Sequence, residues 1–254
     1  MEKVFQFFDL NWQDHVEIDS QNFRPTDINF SGGDPSLASK VLRWEAKTKF
    51  DDLIICCDDN KILKVAKRFK AKCILTSKHH KNGTERIAEA LLKQKTSYDL
   101  IVDIQGDEPL VSPKHIDKVI DYHKKNLSAD IVLPTLKIKF AENQNIVKVV
   151  TDNKKNVLYL SRAKIPLEFK NKSPFFKKHL SIISFKKDAL IKYSKSNKSN
   201  LEKIEDIELL RALETGLKIK TIDLIGDSFS IDVMADFIKA KKKFKTDKIS
   251  KRYS

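Results

Sequence analysis

Short apolar runs alternate with longer stretches of helical periodicity between residues 36 and 136, and this alternation limits the fold more than any other feature of the chain. The apolar runs predict strands at residues 53–57, 73–76, 100–104 and 130–136. The stretches between them predict helices at residues 61–70, 84–93 and 112–125. Strands that alternate with helices of this length favour an α/β fold with a doubly wound, mostly parallel sheet.

The pattern changes after residue 140. Residues 146–151 and 156–160 flank a polar turn and predict a small antiparallel hairpin, and residues 168–178 are lysine-rich and predict a loop. A further strand is predicted at residues 179–185, with helices at 202–214 and 233–244. With 254 residues we expect a single domain, divided into parts 1–140, 141–232 and a C-terminal helix with a basic tail at 233–254.

Composition and charge argue against nucleic-acid-binding and membrane-inserted proteins. The formal net charge of +14 comes mostly from lysines scattered through every segment, which is typical of a solvated surface. Because arginine and aromatic clusters are missing from the sequence, we do not expect a nucleic-acid partner. No apolar run approaches 18 residues, so membrane insertion is not expected. Three cysteines, an odd number, fit reduced thiols and a cytoplasmic protein.

Acidic residues at the end of a predicted strand mark the first candidate site. Residues 100–104 run directly into Gln-Gly-Asp-Glu-Pro at 105–109, and ligands of open α/β sheets bind beyond the carboxyl ends of strands. Asp107 there, together with Asp232 after a later apolar stretch, would provide the carboxylates that Mg²⁺ needs. Purely structural roles stay open as alternatives to metal binding: Asp107 could be a turn residue, and Asp232 could cap the N-terminus of the following helix.

A second candidate lies between the strand at 73–76 and its helix. Residues 80–86 read His-Lys-Asn-Gly-Thr-Glu-Arg, and a small-residue turn at a helix N-terminus offers free amides to an anion or a base carbonyl. Ordinary capping by Thr84 and Glu85 explains the same residues, so this signal is weak by itself.

Several ordered motifs together resemble one family, the CMP-KDO synthetases, which are 3-deoxy-manno-octulosonate cytidylyltransferases. The resemblance spans about residues 36–240 and is carried by ICCDD (55–59), HKNGTER (80–86), QGDEP (105–109), VKVV (147–150), YLSRAKIP (159–166), KHLSI (178–182), the helix with Glu202, Glu205, Glu208 and Arg211, and SID (230–232). So many segments in one order make chance agreement improbable.

The resemblance implies a nucleotide-diphospho-sugar transferase-like fold of the Rossmann type. It also implies transfer of CMP from CTP to KDO or a related acidic eight-carbon sugar, with Mg²⁺, for lipopolysaccharide or surface polysaccharide synthesis, and a homodimer. Asp107 and Asp232 match the family's catalytic, metal-binding aspartates. The implied sugar-binding residues are Gln105, Arg162, His179, Glu205 and Glu208, and the implied nucleotide-binding residues are His80, Gly83, Thr84 and Arg86.

The N-terminal segment departs from the family pattern. Where the family has a cationic, glycine-containing loop for the triphosphate, residues 9–35 begin with four carboxylates, those of Asp9, Asp14, Glu17 and Asp19. Phosphate binding there is expected to be weaker. An alternative function follows from this departure: a catalytically weakened homologue that serves as a sugar-binding or subunit-partner protein.

Overall fold

A computed structural model describes residues 52–139, 142–226, 230–231 and 234–247. The divergent segment 9–35 and the predicted metal ligand Asp232 lie outside the described residues.

The first part of the chain alternates strands and helices as predicted. Its elements are β1 (Ile55–Cys57), α1 (Asn60–Arg68), β2 (Cys73–Leu75), α2 (Gly83–Leu92), β3 (Leu100–Ile104), α3 (Pro113–Lys125) and β4 (Ile131–Ile138). Local chemistry sets the helix starts: Asp59 caps α1 by accepting a bond from the Lys61 amide at 2.7 Å, and Pro113 stands in the first turn of α3.

The second part contains the predicted hairpin and several shorter elements. These are β5 (Lys148–Thr151), β6 (Val157–Ser161), β7 (Phe176–His179), β8 (Ile182–Lys186), α4 (Lys187–Lys195), α5 (Asn200–Glu205), α6 (Glu208–Glu214), β9 (Ile219–Leu224) and α7 (Met234–Thr246). Antiparallel pairing of β5 with β6 confirms the hairpin.

Three predictions were wrong in this part. The predicted loop 168–178 contains most of β7, and the predicted strand 179–185 is interrupted, because the Ser181 amide bonds the side chain of Glu108 at 3.1 Å instead of a neighbouring strand. The predicted helix 202–214 is two helices, since Asp206 has a left-handed backbone (φ 51°) that ends α5. The elements α4 and β9 were not predicted.

The order of the strands explains how the first and the second part of the chain both contribute residues to one site. In the described part of the chain, a seven-stranded sheet runs β3-β8-β4-β7-β5-β6 with β9 beside β4, and β1 pairs in parallel with β2. β3, β4 and β9 share a direction, and antiparallel β8 lies between the first two. The α/β class is confirmed. More pairings are antiparallel than expected, because β7 and β8 return without a helical crossover.

Apolar side chains of β4 pack on both faces of the sheet. Ile131 and Leu133 belong to one buried cluster with Leu190 of α4, and Val132 belongs to another with Val119 of α3. Alternation along one strand into two cores is the pattern of a sheet covered by helices on both sides. No described helix has the length and apolar character needed to cross a membrane.

Candidate active site

Two pockets meet at the carboxyl end of β3. One has a volume of about 530 Å³ and is lined by the ends of β5, β6 and β7 together with α6. The other, of about 790 Å³, lies between β1, β3 and α2. Gly83, Gln105 and Asp107 line both pockets and therefore mark their boundary.

The turn after β3 presents Asp107 to solvent. The amide of Glu108 donates to the carbonyl of Gln105 at 3.3 Å, while the buried Glu108 side chain is turned inward to Ser181. Asp107 is exposed, and its own carbonyl accepts a bond from the Ile231 amide at 3.0 Å. The chain segment that leads into Asp232 thus lies against the Asp107 turn.

His179 ends β7 on the wall of the 530 Å³ pocket. Its amide donates to the carbonyl of Val147 at 3.2 Å, and Gln105 reaches the same turn because its amide donates to the Ser181 carbonyl at 3.3 Å. Burial lowers the pKa of His179, so the imidazole is neutral near pH 7. A neutral ring suits hydrogen bonding to a sugar hydroxyl.

Arg162 lies at the rim of the same pocket, immediately after β6. Backbone carbonyls hold its guanidinium: Nε donates to Glu205 O at 2.8 Å and an Nη donates to Asp206 O at 3.1 Å. The Glu205 side chain accepts bonds from the Ser161 hydroxyl at 2.6 Å and from the Arg162 amide at 3.0 Å. Glu205 therefore supports Arg162 from behind the pocket wall.

A pair of acidic groups lies beneath the pocket boundary. Glu208 lines the 530 Å³ pocket, yet its Oε2 is buried and has no partner among the described residues, and the same holds for Asp103 Oδ2. Burial, with the nearby charges of Glu208 and Asp107, raises the pKa of Asp103 to about 8. Burial also raises the pKa of Glu208. A Cβ added to Gly83 would stand 4.0 Å from Asp103 Oδ2, which places this acid under the 80–86 loop.

The structure separates the members of the predicted nucleotide loop. Gly83 lines both pockets and Arg86 lines the larger one, where it also bonds Asp58 at 2.7 Å. His80 and Thr84 line neither pocket: the His80 ring bonds Glu89, and Thr84 is buried with only 1% of its surface exposed. All four roles in nucleotide binding stay predictions.

A buried cation network fixes this loop to the second part of the chain. Arg211 donates to both carboxylate oxygens of Glu202, at 2.6 and 2.7 Å, and to Glu85 on α2 at 2.8 Å. The Arg211 guanidinium also lies 4.5 Å from the ring centre of Tyr193, whose hydroxyl accepts a bond from Asn82 at 2.9 Å. The loop between β2 and α2 is thereby anchored to helices more than 100 residues away.

The structure thus brings together Gln105, Asp107, Arg162, His179 and Glu208 on the wall of the 530 Å³ pocket. Sequence reasoning missed Asp103, Glu108 and Lys148 as site-forming residues. A charged residue inside an apolar strand pattern was the available signal for Asp103 and Lys148, because such a residue needs buried partners. No sequence signal specified which partners they take.

Comparisons with known proteins show the family of the chain. A model of the family described as cytidylyltransferase matches residues 37–219. The 3-deoxy-manno-octulosonate cytidylyltransferase of Fusobacterium nucleatum is 40% identical over 197 residues, covering 76% of this chain and 79% of that protein. The enzyme of the same name from Thermodesulfovibrio yellowstonii is 35% identical over 238 residues, covering 88% and 93%.

A solved structure shares the fold. The CMP:2-keto-3-deoxy-manno-octonic acid synthetase in complex with CTP matches with a TM-score of 0.74 and 25% sequence identity, covering 78% of this chain and 83% of that one.

Proposed function

Because the chain belongs to the cytidylyltransferase family, we propose that it transfers CMP from CTP to 3-deoxy-manno-octulosonate (KDO), forming CMP-KDO and releasing pyrophosphate. The observation that carries the proposal is the position of Asp107 on the boundary of two pockets. A carboxylate at this boundary would face both the nucleotide and the sugar, at the point where the new bond between them forms. The relatives named for this activity and the structure solved with CTP support the same reaction.

Each pocket suits one reactant. The 530 Å³ pocket is lined by three cations, Lys81, Arg162 and Lys198, and Lys198 is paired with Asp206 at 3.6 Å. Lys81 and Arg162 would attract the carboxylate of an acidic sugar. The larger pocket, bounded by Gly83 at the start of α2, would hold the nucleotide. Gln105 and His179 provide an amide and a neutral imidazole for sugar hydroxyls.

A divalent cation fits the acidic boundary between the pockets. We propose that Asp107 and Asp232 hold Mg²⁺, because Asp107 is exposed at the rim and its carbonyl bonds Ile231, the residue before Asp232. The ion, when bound, would offset the negative charge of the phosphates that the two anionic substrates bring together. Asp107 would hold the ion at the pocket boundary. The pocket walls would align the sugar hydroxyl for in-line attack on the phosphate.

The direct test is pyrophosphate release with CTP, KDO and Mg²⁺. Wild-type protein is expected to turn over, and Asp107→Ala is expected to lower kcat/KM by ~100-fold or more, because the charge control at the reacting phosphate is lost. Asp121→Asn, which removes an exposed carboxylate on α3, serves as the matched control and should match the wild type.

Two results would contradict the proposal: no wild-type turnover, or full activity in D107A. Absent turnover combined with tight KDO binding would instead favour the sugar-binding homologue.

We further propose a homodimer that acts in the cytoplasm in lipopolysaccharide or surface polysaccharide synthesis. Exposed apolar side chains after β6 support the pairing, since Leu167 and Phe169 are 80% and 85% exposed. Light scattering checks it: a mass near 58 kDa, about twice the chain mass of 29.3 kDa, is expected. A Phe169→Ser variant that stays equally dimeric would show that this surface is not the interface.

A further inference from the structure

Lys148 is a buried cation at the centre of the sugar side of the site. It is the first residue of β5, and none of its surface is exposed. In the sheet it stands opposite Ser161 of β6 on one side and Lys178 of β7 on the other. The residues that follow Ser161 and Lys178 in the chain are Arg162 and His179, which both line the 530 Å³ pocket.

Three backbone carbonyls take all the hydrogens of its ammonium group. Lys148 Nζ donates to Asn143 O at 2.9 Å, to Ile146 O at 2.7 Å and to Arg162 O. The first two carbonyls flank Asn145, which lines the pocket. One side chain therefore joins the turn before β5 to the end of β6.

The Arg162 peptide is held at both ends by this arrangement. Lys148 bonds its carbonyl, and the Glu205 side chain bonds its amide at 3.0 Å. Because the Arg162 guanidinium is itself bonded to the carbonyls of Glu205 and Asp206, rotation of this residue is restricted at the backbone and at the side chain. A rigidly held cation at a pocket rim is a preorganised binding group.

The charge of Lys148 is not cancelled by a direct ion pair with a carboxylate in the described part of the chain. The charge of Glu205 favours the protonated form of Lys148, but the Glu205 carboxylate oxygens accept hydrogen bonds from Ser161 and Arg162. Burial and the neighbouring charge of Arg162 lower the pKa of Lys148, although the carbonyl bonds favour the protonated form. Arg162 at the pocket rim thus has a second cation, the buried Lys148, bonded to its backbone carbonyl.

We propose that Lys148 is a positioning residue for the acceptor sugar: its ammonium holds the carbonyls of Asn143, Ile146 and Arg162 at one point and thereby fixes the cationic rim that receives the sugar carboxylate. The inference rests on the proposed function and deepens it. It concerns the acceptor and not the nucleotide, because all three carbonyls belong to segments that border the 530 Å³ pocket.

Steady-state kinetics with each substrate varied separately test this role. Lys148→Met keeps an unbranched side chain, one atom shorter than lysine, but removes the charge and the hydrogen-bond donors. We expect the KM for KDO to rise at least ~10-fold, as for one lost charge-assisted contact, while the KM for CTP changes less than about twofold. Lys148→Arg restores a cation and several donors, so it should recover part of the KDO affinity.

The controls separate positioning from stability. Lys154→Met removes an exposed lysine in the turn of the same hairpin and should leave both KM values unchanged. Thermal unfolding of each variant is measured first; if K148M does not fold, Lys148→Gln, whose amide still donates, is judged by the same thresholds.

Three outcomes would overturn the inference: both KM values within twofold of wild type, equal increases for CTP and KDO, or K148R no better than K148M. Wild-type turnover together with any of these defeats only the role of Lys148. If the wild type itself does not turn over, the proposed function fails and this inference fails with it.

Discussion

Arg211 and Lys148 are buried cations near the same pocket, yet they are stabilised in opposite ways. Arg211, 1% exposed, is paired with the carboxylates of Glu202 and Glu85. Lys148, with no exposed surface, is bonded to backbone carbonyls. A cation paired with carboxylates is neutralised and acts as a clamp between the parts that it joins, whereas a cation held by carbonyl dipoles keeps its charge.

The position of each cation fits its role. Arg211 connects α2, which starts at the predicted nucleotide loop, to α5 and α6, so it holds two parts of the chain at a fixed distance. Lys148 connects segments that border the 530 Å³ pocket. The first arrangement should matter most for stability and the second for affinity.

The largest stability loss is expected from Arg211→Met. This change leaves the buried carboxylate of Glu202 and that of Glu85 without a cation, and breaking a buried pair in this way costs ~3–5 kcal/mol. Urea unfolding measures the loss in the free energy of unfolding. The control is Arg68→Met, which removes an exposed arginine at the end of α1.

A loss below about 1 kcal/mol in the free energy of unfolding of R211M would contradict the contrast between Arg211 and Lys148, because the carboxylate pairing of Arg211 would then contribute no more than a surface ion pair.

Asp103→Asn extends the comparison to a buried acid that forms no ion pair with a cation among the described residues. Its folded pKa of about 8 lies above the ordinary pKa of an aspartate, 3.8, so the native state keeps a proton that the unfolded state releases. This contribution to stability is complete below pH 4 and is lost as the pH rises towards 8. Asparagine does not titrate, so D103N should be more stable than wild type at pH 8, by ~1–3 kcal/mol.

The measurement is the difference between the unfolding free energies of D103N and wild type at pH 5 and at pH 8. Asp121→Asn on the surface of α3 provides the background change. A difference that stays constant between the two pH values would show that Asp103 is ionised throughout.

The smallest effect is expected from Tyr193→Phe. The variant keeps the ring under Arg211 and removes only the hydroxyl that accepts the Asn82 bond, which should cost ~1 kcal/mol of stability. Because Asn82 caps α2 and lines the 530 Å³ pocket beside Gly83, which lines both pockets, we expect the KM for KDO and the KM for CTP each to rise a few-fold. Unchanged KM values for both substrates would show that this hydrogen bond does not position the loop.

Much of the first part of the chain was predictable because its signals are local. The elements from β1 to β4 follow hydrophobic periodicity, and caps such as Asp59 lie within three residues of the amides they bond. Prediction failed where a distant group overrides the local pattern. The carboxylate of Glu108 ends the pairing at Ser181, and a left-handed Asp206 divides a helix that looked continuous.

The residues of the candidate site also divide into those that local motifs predict and those that they do not. Gln105, Asp107, Arg162 and His179 were found from motifs that resemble those of the family, and the structure brings them to one pocket. Their supports were not found, because those supports are side chains and carbonyls far away in sequence.

By itself, the sequence determined the α/β class, most element positions, the family and the rim residues, because periodicity, turn chemistry and motif order are properties of neighbouring residues. Only the tertiary structure decided that Arg211 is neutralised by Glu202 and Glu85, while Lys148 is held by carbonyls. The environment of a buried charge depends on which backbone and side-chain groups the folded chain brings within about 3 Å of it, and local sequence does not specify that set.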